Sequence, residues 1–284
     1  MSKKRILAID SQKLNTIQYC ARKYDYFFQR NLKPLVPATY HERGSLVHKM
    51  LAHYYILKKK RVNWHPRGYT HEDIIKICLK IGRHFGAKMD LPIEEVERTL
   101  EVFTEYCAFY EHEGWEVLAV EQVASKVIFE DEEVIYIYDA KPDLIVRASN
   151  LPILPVDHKH VRSNREVSPM SNQFIGYCWI LGAYNLCVNR IGFQKTLPMD
   201  KKFTRIVLSY DQGLIKDWVE NTIWWMRLIE HFMSTGYWPM DFSSCDKFDG
   251  CIFQDICVSD PLVRDIKLHR AFDVVEPWDV AKRL

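Results

Sequence analysis

Long apolar runs are absent from this chain of 284 residues. The longest weakly polar stretch, residues 176–188, is well short of the roughly 18–20 residues that a membrane span needs. The apolar segment between Arg5 and Asp10 is likewise too short for the core of a signal peptide. We therefore expect a soluble, intracellular protein whose eight cysteines are thiols or metal ligands rather than disulfides.

An excess of charge of one sign and the common nucleotide motifs are also missing. The 39 basic and 37 acidic residues leave a net charge of +2, so any basic surface that attracts nucleic acid must be local. No Gly-x-x-x-x-Gly-Lys-Ser/Thr loop is present, so an ATP-driven motor would be a separate protein. The chain also lacks Gly-x-Ser-x-Gly, the motif of a serine nucleophile elbow.

The predicted secondary structure changes character twice along the chain. Residues 1–112 form a mostly helical N-terminal layer, residues 113–210 carry the strands, and residues 211–284 hold a long helix and a cysteine-rich, irregular tail. The predicted helices cover residues 11–30, 41–60, 70–88, 92–112, 169–188 and 212–235. This order predicts a single α/β domain over residues 1–284, with a central mixed β-sheet flanked by helices.

Two acids and a lysine stand on neighbouring predicted strands. Asp143 follows Pro142, and Asp157 lies two residues before Lys159, so that alternation places Asp157 and Lys159 on one face of the strand. Strand pairing could bring both carboxylates to one divalent cation, which stabilises charge on a phosphate and activates water. The ammonium group of Lys159 could orient that water or neutralise developing charge. Taken singly, each residue is more simply explained as a solvated residue at a strand edge.

The ordered set of motifs resembles the PD-(D/E)XK nuclease superfamily. Within it, the chain is most similar to the RecB-like branch, which includes Cas4, AddB and many phage exonucleases. The resemblance implies a restriction-endonuclease-like core and a metal-dependent DNA exonuclease. The positions that carry it, in chain order, are Cys20, Arg22, Lys23, Gly44, His48, Glu121, Asp143, Asp157, Lys159, Gln173 and Tyr177.

The resemblance also implies a role for each position. The implied ligands of Mg²⁺ or Mn²⁺ are His48, Asp143 and Asp157. The implied catalytic residues are Lys159, Asp143, Asp157 and Glu121. The implied substrate-binding residues are Gln173, Tyr177, Arg22 and Lys23. DNA with free or single-stranded ends is the implied substrate, in recombination, repair or phage DNA processing, with a separate helicase or recombination partner.

The resemblance also implies a setting, which is the cytoplasm of a bacterium or of a phage-infected host.

Two other functions stay open at this point. A non-catalytic DNA-binding or assembly subunit could have the same fold, although it would be expected to lose at least one member of the acid, lysine and histidine set. An electron carrier would explain the cysteines but would leave the acid–lysine strands without a role.

Three cysteines in the tail form a candidate metal site. Cys245, Cys251 and Cys257 are separated by five residues each, and three thiols so close together would make a poor core element. Zinc and iron–sulfur clusters both accept four thiolates. The resemblance implies a [4Fe–4S] cluster with Cys20 as the fourth ligand, but the first tail interval differs from the family's usual spacing, so zinc stays an alternative. The remaining cysteines are predicted to be buried thiols in helices: Cys78, Cys107, Cys178 and Cys187.

Overall fold

A computed structural model describes residues 4–35, 42–63, 69–161, 167–247 and 250–282. The strands are β1 Arg5–Ile9, β2 Leu32–Pro34, β3 Trp115–Val120, β4 Ala124–Glu130, β5 Val134–Ala140, β6 Leu144–Ala148, β7 Leu151–Val161, β8 Asn185–Gly192, β9 Phe203–Ser209 and β10 Phe272–Val274. The α-helices are α1 Ser11–Tyr19, α2 Ala21–Tyr24, α3 Glu42–Asn63, α4 His71–Lys88, α5 Ile93–Phe109, α6 Asn172–Leu181, α7 Met199–Lys202, α8 Gln212–Thr235, α9 Gln254–Cys257 and α10 Pro261–Ala271. Within these described segments, no helix combines the length and the apolar character that crossing a membrane requires.

One compact unit, here called the sheet unit, comprises Thr39–Ala124 and Lys141–Ile215. Its five strands lie in the order β3-β6-β7-β8-β9, with β7 and β8 parallel and the other neighbours antiparallel. Helix α6 lies in the crossover between β7 and β8, as a parallel pair requires. This arrangement confirms the predicted central mixed sheet flanked by helices.

Helices α3, α4 and α5 share a hydrophobic core with this sheet. Helix α3 buries Leu46, Met50 and Tyr54, which recur at helical spacing along one face. From the sheet, the fully buried side chains of Leu144 and Val156 join the same cluster. The core therefore fixes α3 against β6, which directly follows Asp143, and against β7, which carries Asp157 and Lys159.

The other compact unit, here called the terminal unit, comprises Met1–Ala38, Ser125–Ala140 and Lys216–Arg283. Its three-stranded sheet has the order β1-β5-β4, and β1 runs parallel to β5. Strands β2 and β10 pair separately beside a core that includes Tyr26, Phe253 and Phe272. The two units interleave along the sequence, and the assignment of residues 1–284 to one nuclease domain stays a prediction.

The prediction for the first 112 residues is wrong in two places. Strand β1 was not predicted, because its few apolar residues have no helical or alternating period and gain a partner only from β5, far along the chain. The helix predicted over residues 11–30 is interrupted at Cys20, whose backbone is extended, and ends in a π-helical turn at Asp25–Gln29.

The helix predicted over residues 169–188 is wrong after Leu181. Gly182 adopts φ +64°, a left-handed conformation that ends α6, and the chain resumes as β8 at Asn185. Cys187 therefore lies on a buried strand and not on a helix. Fully buried strands and buried helices give similar apolar runs, which explains the error.

The tail after α8 is more regular than predicted. Gly236, at φ +68°, follows the end of α8 at Thr235, as predicted. The tail was expected to be irregular, but it contains α10, which begins at Pro261 with Asp260 accepting a hydrogen bond from the backbone N–H of Leu262. An aspartate followed by proline is a helix-start signal that the sequence offered.

Candidate active site

Strands β6 and β7 bring the two predicted acids together. Their antiparallel register aligns Leu144 with Val156, so Asp143, directly before β6, lies opposite Asp157 on β7. Oδ2 of Asp143 accepts a hydrogen bond of 2.7 Å from the backbone N–H of His158. The strand pairing that the sequence suggested therefore fixes one carboxylate against the backbone of the neighbouring strand.

Three potential metal ligands converge at this end of the sheet. One ligand atom each from His48, Glu121 and Asp143 lie within 4.8 Å of one another. Helix α3 supplies His48, whose Nδ1 is 3.4 Å from Oδ2 of Asp143. Glu121 follows β3 in a left-handed conformation, φ +49°, and its backbone N–H donates to the carbonyl oxygen of Asp143. Strained backbone of this kind in a non-glycine residue is typical of functional sites.

Asp157 and Lys159 form an ion pair beside this cluster. The side chain of Asp157 is 1% exposed, and its Oδ2 lies 2.8 Å from Nζ of Lys159, which is 39% exposed. Among the residues that the structure describes, no group donates a hydrogen bond of acceptable geometry to that oxygen. Beside its ion pair with Lys159, this buried carboxylate oxygen keeps lone pairs that could also ligate a cation.

Burial and the neighbouring charged groups together determine the pKa values of the cluster residues. Burial alone would lower the pKa of His48, but the nearby Asp143 carboxylate raises it to about 8. Burial opposes the ionisation of Asp143, yet His48 holds its pKa well below the usual range. Burial and the Asp143 charge both raise the pKa values of Asp157 and Glu121. The acids therefore hold negative charge that solvent stabilises poorly and that a cation would stabilise.

The residues present fit a divalent cation. The cluster offers carboxylate oxygens, which Mg²⁺ and Mn²⁺ prefer, and one imidazole, which suits transition metals better than Mg²⁺. The resemblance implied His48, Asp143 and Asp157 as ligands, and the structure places the first two in the cluster with Glu121. Asp157 is not a member of that three-residue group, although it faces the same acids electrostatically.

Gln173 and Tyr177 connect the lysine to the backbone of the acid strand. Nζ of Lys159 donates to Oε1 of Gln173 at 3.0 Å, and Nε2 of Gln173 donates to the hydroxyl of Tyr177 at 2.9 Å. That hydroxyl donates in turn to the carbonyl oxygen of Lys141 at 3.0 Å. Tyr177 is 2% exposed. These contacts orient Lys159, and the DNA-binding role predicted for the pair stays a prediction.

Lys141 is a second lysine of the site that the sequence analysis missed. Its Nζ lies 3.2 Å from Oε2 of Glu121, and its side chain is only 4% exposed. A buried ammonium group beside a potential metal ligand partly neutralises the acidic cluster. The available signal was its place directly before Pro142-Asp143, but sequence alone does not show that it reaches Glu121.

Replacing Tyr177 with phenylalanine tests the orienting role of the pair. Tyr177→Phe removes the hydroxyl that fixes Gln173, so we expect kcat for DNA cleavage to fall by about tenfold, the effect typical of groups that orient a reacting residue. The KM for DNA should change little. Steady-state kinetics of this variant, with Tyr184→Phe at an exposed tyrosine as the control, separate the two parameters. A raised KM with an unchanged kcat would instead support the DNA-binding role.

The four predicted cluster cysteines lie in the terminal unit. The backbone N–H of Asp241 points at Sγ of Cys20, at 3.5 Å, and Sγ of Cys245 lies 3.6 Å from the carbonyl oxygen of the same residue. Burial and the nearby thiols of Cys251 and Cys20 raise the pKa of Cys245, and burial together with the same two thiols raises the pKa of Cys257. The contacts of Cys20 and Cys245 with the backbone of Asp241 bring a residue near the start of the chain beside the cysteine-rich tail.

Arg22 and Lys23, which were predicted to bind DNA, flank this cysteine group. Nε of Arg22 donates to the carbonyl oxygen of Trp238 at 2.8 Å. Nζ of Lys23 lies over the ring of Tyr19, 4.7 Å from its centroid. Both contacts stabilise the local fold, and a phosphate contact by either residue stays a prediction.

A family model for the PD-(D/E)XK nuclease superfamily matches residues 11–258, most of the chain. The chain belongs to the PD-(D/E)XK nuclease superfamily. This membership agrees with the mixed sheet, with Asp143 directly before β6 and with Asp157 and Lys159 on β7, and it supports nuclease activity. Members of the superfamily use divalent metals, in accord with the ligands gathered around Asp143.

Solved structures of exonucleases are among those similar to this PD-(D/E)XK chain. A candidate exonuclease from Eubacterium rectale is 9% identical, with coverage of 84% of this chain and 86% of that chain and a TM-score of 0.47. An alkaline exonuclease from Laribacter hongkongensis is 11% identical, with 68% and 97% covered and a TM-score of 0.33. A phage-related exonuclease from Haemophilus somnus is also 11% identical, with 64% and 95% covered and a TM-score of 0.33. No curated protein matches this sequence.

Proposed function

We propose that this chain is a metal-dependent DNA exonuclease of the RecB-like branch, which hydrolyses phosphodiester bonds in recombination, repair or phage DNA processing. The observation that carries the proposal is the pairing of Lys159 with buried Asp157, 2.8 Å apart, on the strand next to the His48, Glu121 and Asp143 cluster. The family membership supports the same chemistry.

His48, Asp143 and Asp157, with Glu121, are the residues that would hold Mg²⁺ or Mn²⁺. When bound, the cation supplies charge stabilisation for the phosphate and activation of the attacking water. Imidazole ligation favours or at least tolerates Mn²⁺. Purified protein should therefore cleave DNA with Mn²⁺, with Mg²⁺ as the second metal to test.

The chain's own residues would prepare the attack. Asp143 is held by the backbone N–H of His158, which keeps its carboxylate directed at the cluster. The ammonium group of Lys159, oriented by Gln173, would hydrogen-bond the attacking water or neutralise the developing charge on the phosphate. Glu121 would steady Lys159 or the attacking water. Its pairing with Lys141 limits the repulsion between Glu121 and Asp143.

We also propose that the four cysteines Cys20, Cys245, Cys251 and Cys257 bind a structural [4Fe–4S] cluster. The mutual influence of their thiols supports a shared site, and two of them pack against the aromatic core around Phe253. Hydrolysis of a phosphodiester transfers no electron, so the cluster would stabilise the fold and not take part in the chemistry. Zinc is the alternative occupant.

The colour and metal content of the protein, with and without one cysteine, should distinguish a [4Fe–4S] cluster from zinc. Protein purified without oxygen should be brown, with broad visible absorbance and four irons, and Cys251→Ala should lose most of that absorbance, because a cluster held by thiolates needs all of its ligands. The melting temperature should also fall, since the bound group stabilises the fold. Cys178→Ala, at a buried thiol in α6, is the control and should stay brown. A colourless protein with stoichiometric zinc would replace the iron–sulfur assignment.

A further inference from the structure

A chain of buried polar groups lies behind the candidate catalytic strand, within the sheet unit. His158 stands between Asp157 and Lys159, and it is 4% exposed. In the parallel register of β7 and β8, His158 lies beside Asn189, which is 0% exposed. Nδ2 of Asn189 lies 2.8 Å from Nδ1 of His158 and 2.8 Å from the hydroxyl of Tyr106.

The hydrogen bonds of this network run in one direction towards a buried carboxylate. The hydroxyl of Tyr106 lies 2.7 Å from that of Tyr55, which donates to Oε2 of Glu113 at 3.4 Å. Glu113 is paired with Arg205 and with Lys58. Because Tyr55 donates to Glu113, it accepts from Tyr106, and Tyr106 accepts from Asn189. The network therefore presents Asn189 as a donor to His158.

The donor role of Asn189 fixes the state of the His158 ring. Nδ1 of His158 accepts a hydrogen bond, so the single proton of the neutral ring is on Nε2. The opposite orientation of the Asn189 amide would leave both of its N–H groups without an acceptor, since its Oδ1 has no partner among the described residues. The stacked ring of Tyr55, whose centroid is 5.9 Å away, limits rotation of the imidazole.

His158 in turn contacts two of the three candidate metal ligands. Its backbone N–H donates to Oδ2 of Asp143, and its ring packs edge-to-face on His48 with 6.1 Å between centroids. A shift or rotation of the His158 ring would therefore move His48, whereas the contact with Asp143 is made by the backbone of β7. This is the relation that outer-shell groups have to a metal site, where loss of one such group lowers affinity or activity.

Asn189 also places a destabilising polar atom in the core, and core packing gives no reason for it. Its carbonyl oxygen is buried without a partner among the described residues, which lowers the stability of the fold. We propose that Asn189 is a positioning residue, which holds the ring of His158 and thereby aligns His48. The inference rests on the proposed nuclease function for its kinetic consequence alone.

Replacing Asn189 with leucine tests the proposal. Asn189→Leu removes the donor to Nδ1 of His158 together with the unpaired carbonyl oxygen, and a melting curve shows whether the variant is folded. At the same time kcat should fall by about 10- to 100-fold, and the affinity for Mn²⁺ should also fall, with little change in the KM for DNA. The ¹⁵N chemical shifts of His158 should move away from those of a single Nε2–H tautomer. Asn185→Leu, on the same strand and paired with Ser209, is the matched control.

Tyr106→Phe is measured alongside, because it removes only the hydroxyl that accepts from Asn189 and keeps the ring in the core. It should lower kcat and Mn²⁺ affinity and move the His158 shifts in the same direction as Asn189→Leu, but by a smaller amount. Unchanged kcat, Mn²⁺ affinity and His158 shifts in the variants that fold would overturn the proposal, as would equal losses in Asn185→Leu. If the wild-type protein cleaves no DNA, the proposed function fails, while Mn²⁺ affinity and the His158 shifts still decide the role of Asn189.

Discussion

Lys159→Met should lower the rate of DNA cleavage by at least about a hundredfold while DNA binding persists. The ammonium group of Lys159 is the exposed cation of the site, 2.8 Å from buried Asp157 and held by Gln173. Loss of one group that stabilises developing charge typically costs two to three orders of magnitude, roughly 10² to 10³. Methionine keeps much of the apolar stem and removes only the ammonium group, which lies 5.5 Å from the centroid of the Phe174 ring. Single-turnover cleavage of a labelled oligonucleotide, together with a binding titration, measures both effects.

The control for Lys159→Met is Lys201→Met, which removes the charge of an exposed lysine on α7. It should cleave DNA at the wild-type rate. Cleavage by Lys159→Met at that same rate would show that Lys159 has no catalytic role, and the assignment of the acid–lysine strands would be wrong. A parallel loss of DNA binding would indicate that Lys159 acts on substrate affinity instead.

Asp143→Asn should abolish both metal binding and cleavage. The substitution keeps the shape of the side chain but removes the charge that lies at the centre of the cluster, 3.4 Å from His48 and near Glu121. The loss of Mn²⁺ affinity should exceed the roughly 10- to 100-fold decrease that follows removal of an outer-shell partner. Isothermal titration with Mn²⁺ gives the affinity, and a melting curve shows whether the variant is folded.

Asp217→Asn, at an exposed aspartate of α8, is the matched control for this change and should bind Mn²⁺ like the wild type. A folded Asp143→Asn variant with undiminished Mn²⁺ affinity would place the metal elsewhere. Because the carboxamide can still accept the hydrogen bond from His158, unfolding is not expected to confuse the result.

The sequence predicts how Asp143, Asp157 and Lys159 lie relative to one another, because that placement depends on local strand geometry. Asp157 and Lys159 are two residues apart on one strand, and alternation alone places them on one face. The pairing of β6 with β7 follows from a short connection, and the register confirms that Asp143 lies opposite Asp157. The presence of His48 beside Asp143 came from the resemblance to a family and not from spacing, and the structure brings the two together.

The rest of the site depends on contacts that sequence does not show. Lys141 reaches Glu121 only because β3 and β6 are neighbours in the sheet. The network behind His158 joins two helices and two strands, and no pattern in the sequence relates Asn189 to Tyr106. Gln173 and Tyr177 are four residues apart on α6 and share a helix face, but their partners Lys159 and the Lys141 carbonyl are visible only in the folded sheet unit.

The errors in the fold have a similar origin. Strand β1 needs β5 as its partner, more than a hundred residues away, so a short apolar run gave no sign of it. The strands within residues 113–210 were predicted to form one central sheet, but β4 and β5 belong to a separate sheet of the order β1-β5-β4. Pairing between distant segments, rather than local propensity, determines both outcomes.

Cleavage of linear and covalently closed circular DNA by the purified protein tests the central claim most directly. With Mn²⁺, the wild type should release nucleotides from linear DNA and spare the closed circle, EDTA should stop the reaction, and Lys159→Met should be inactive under the same conditions. Binding of linear DNA without cleavage in either Mn²⁺ or Mg²⁺ would contradict the account and favour a non-catalytic subunit. Cleavage that persists in EDTA would contradict it as well.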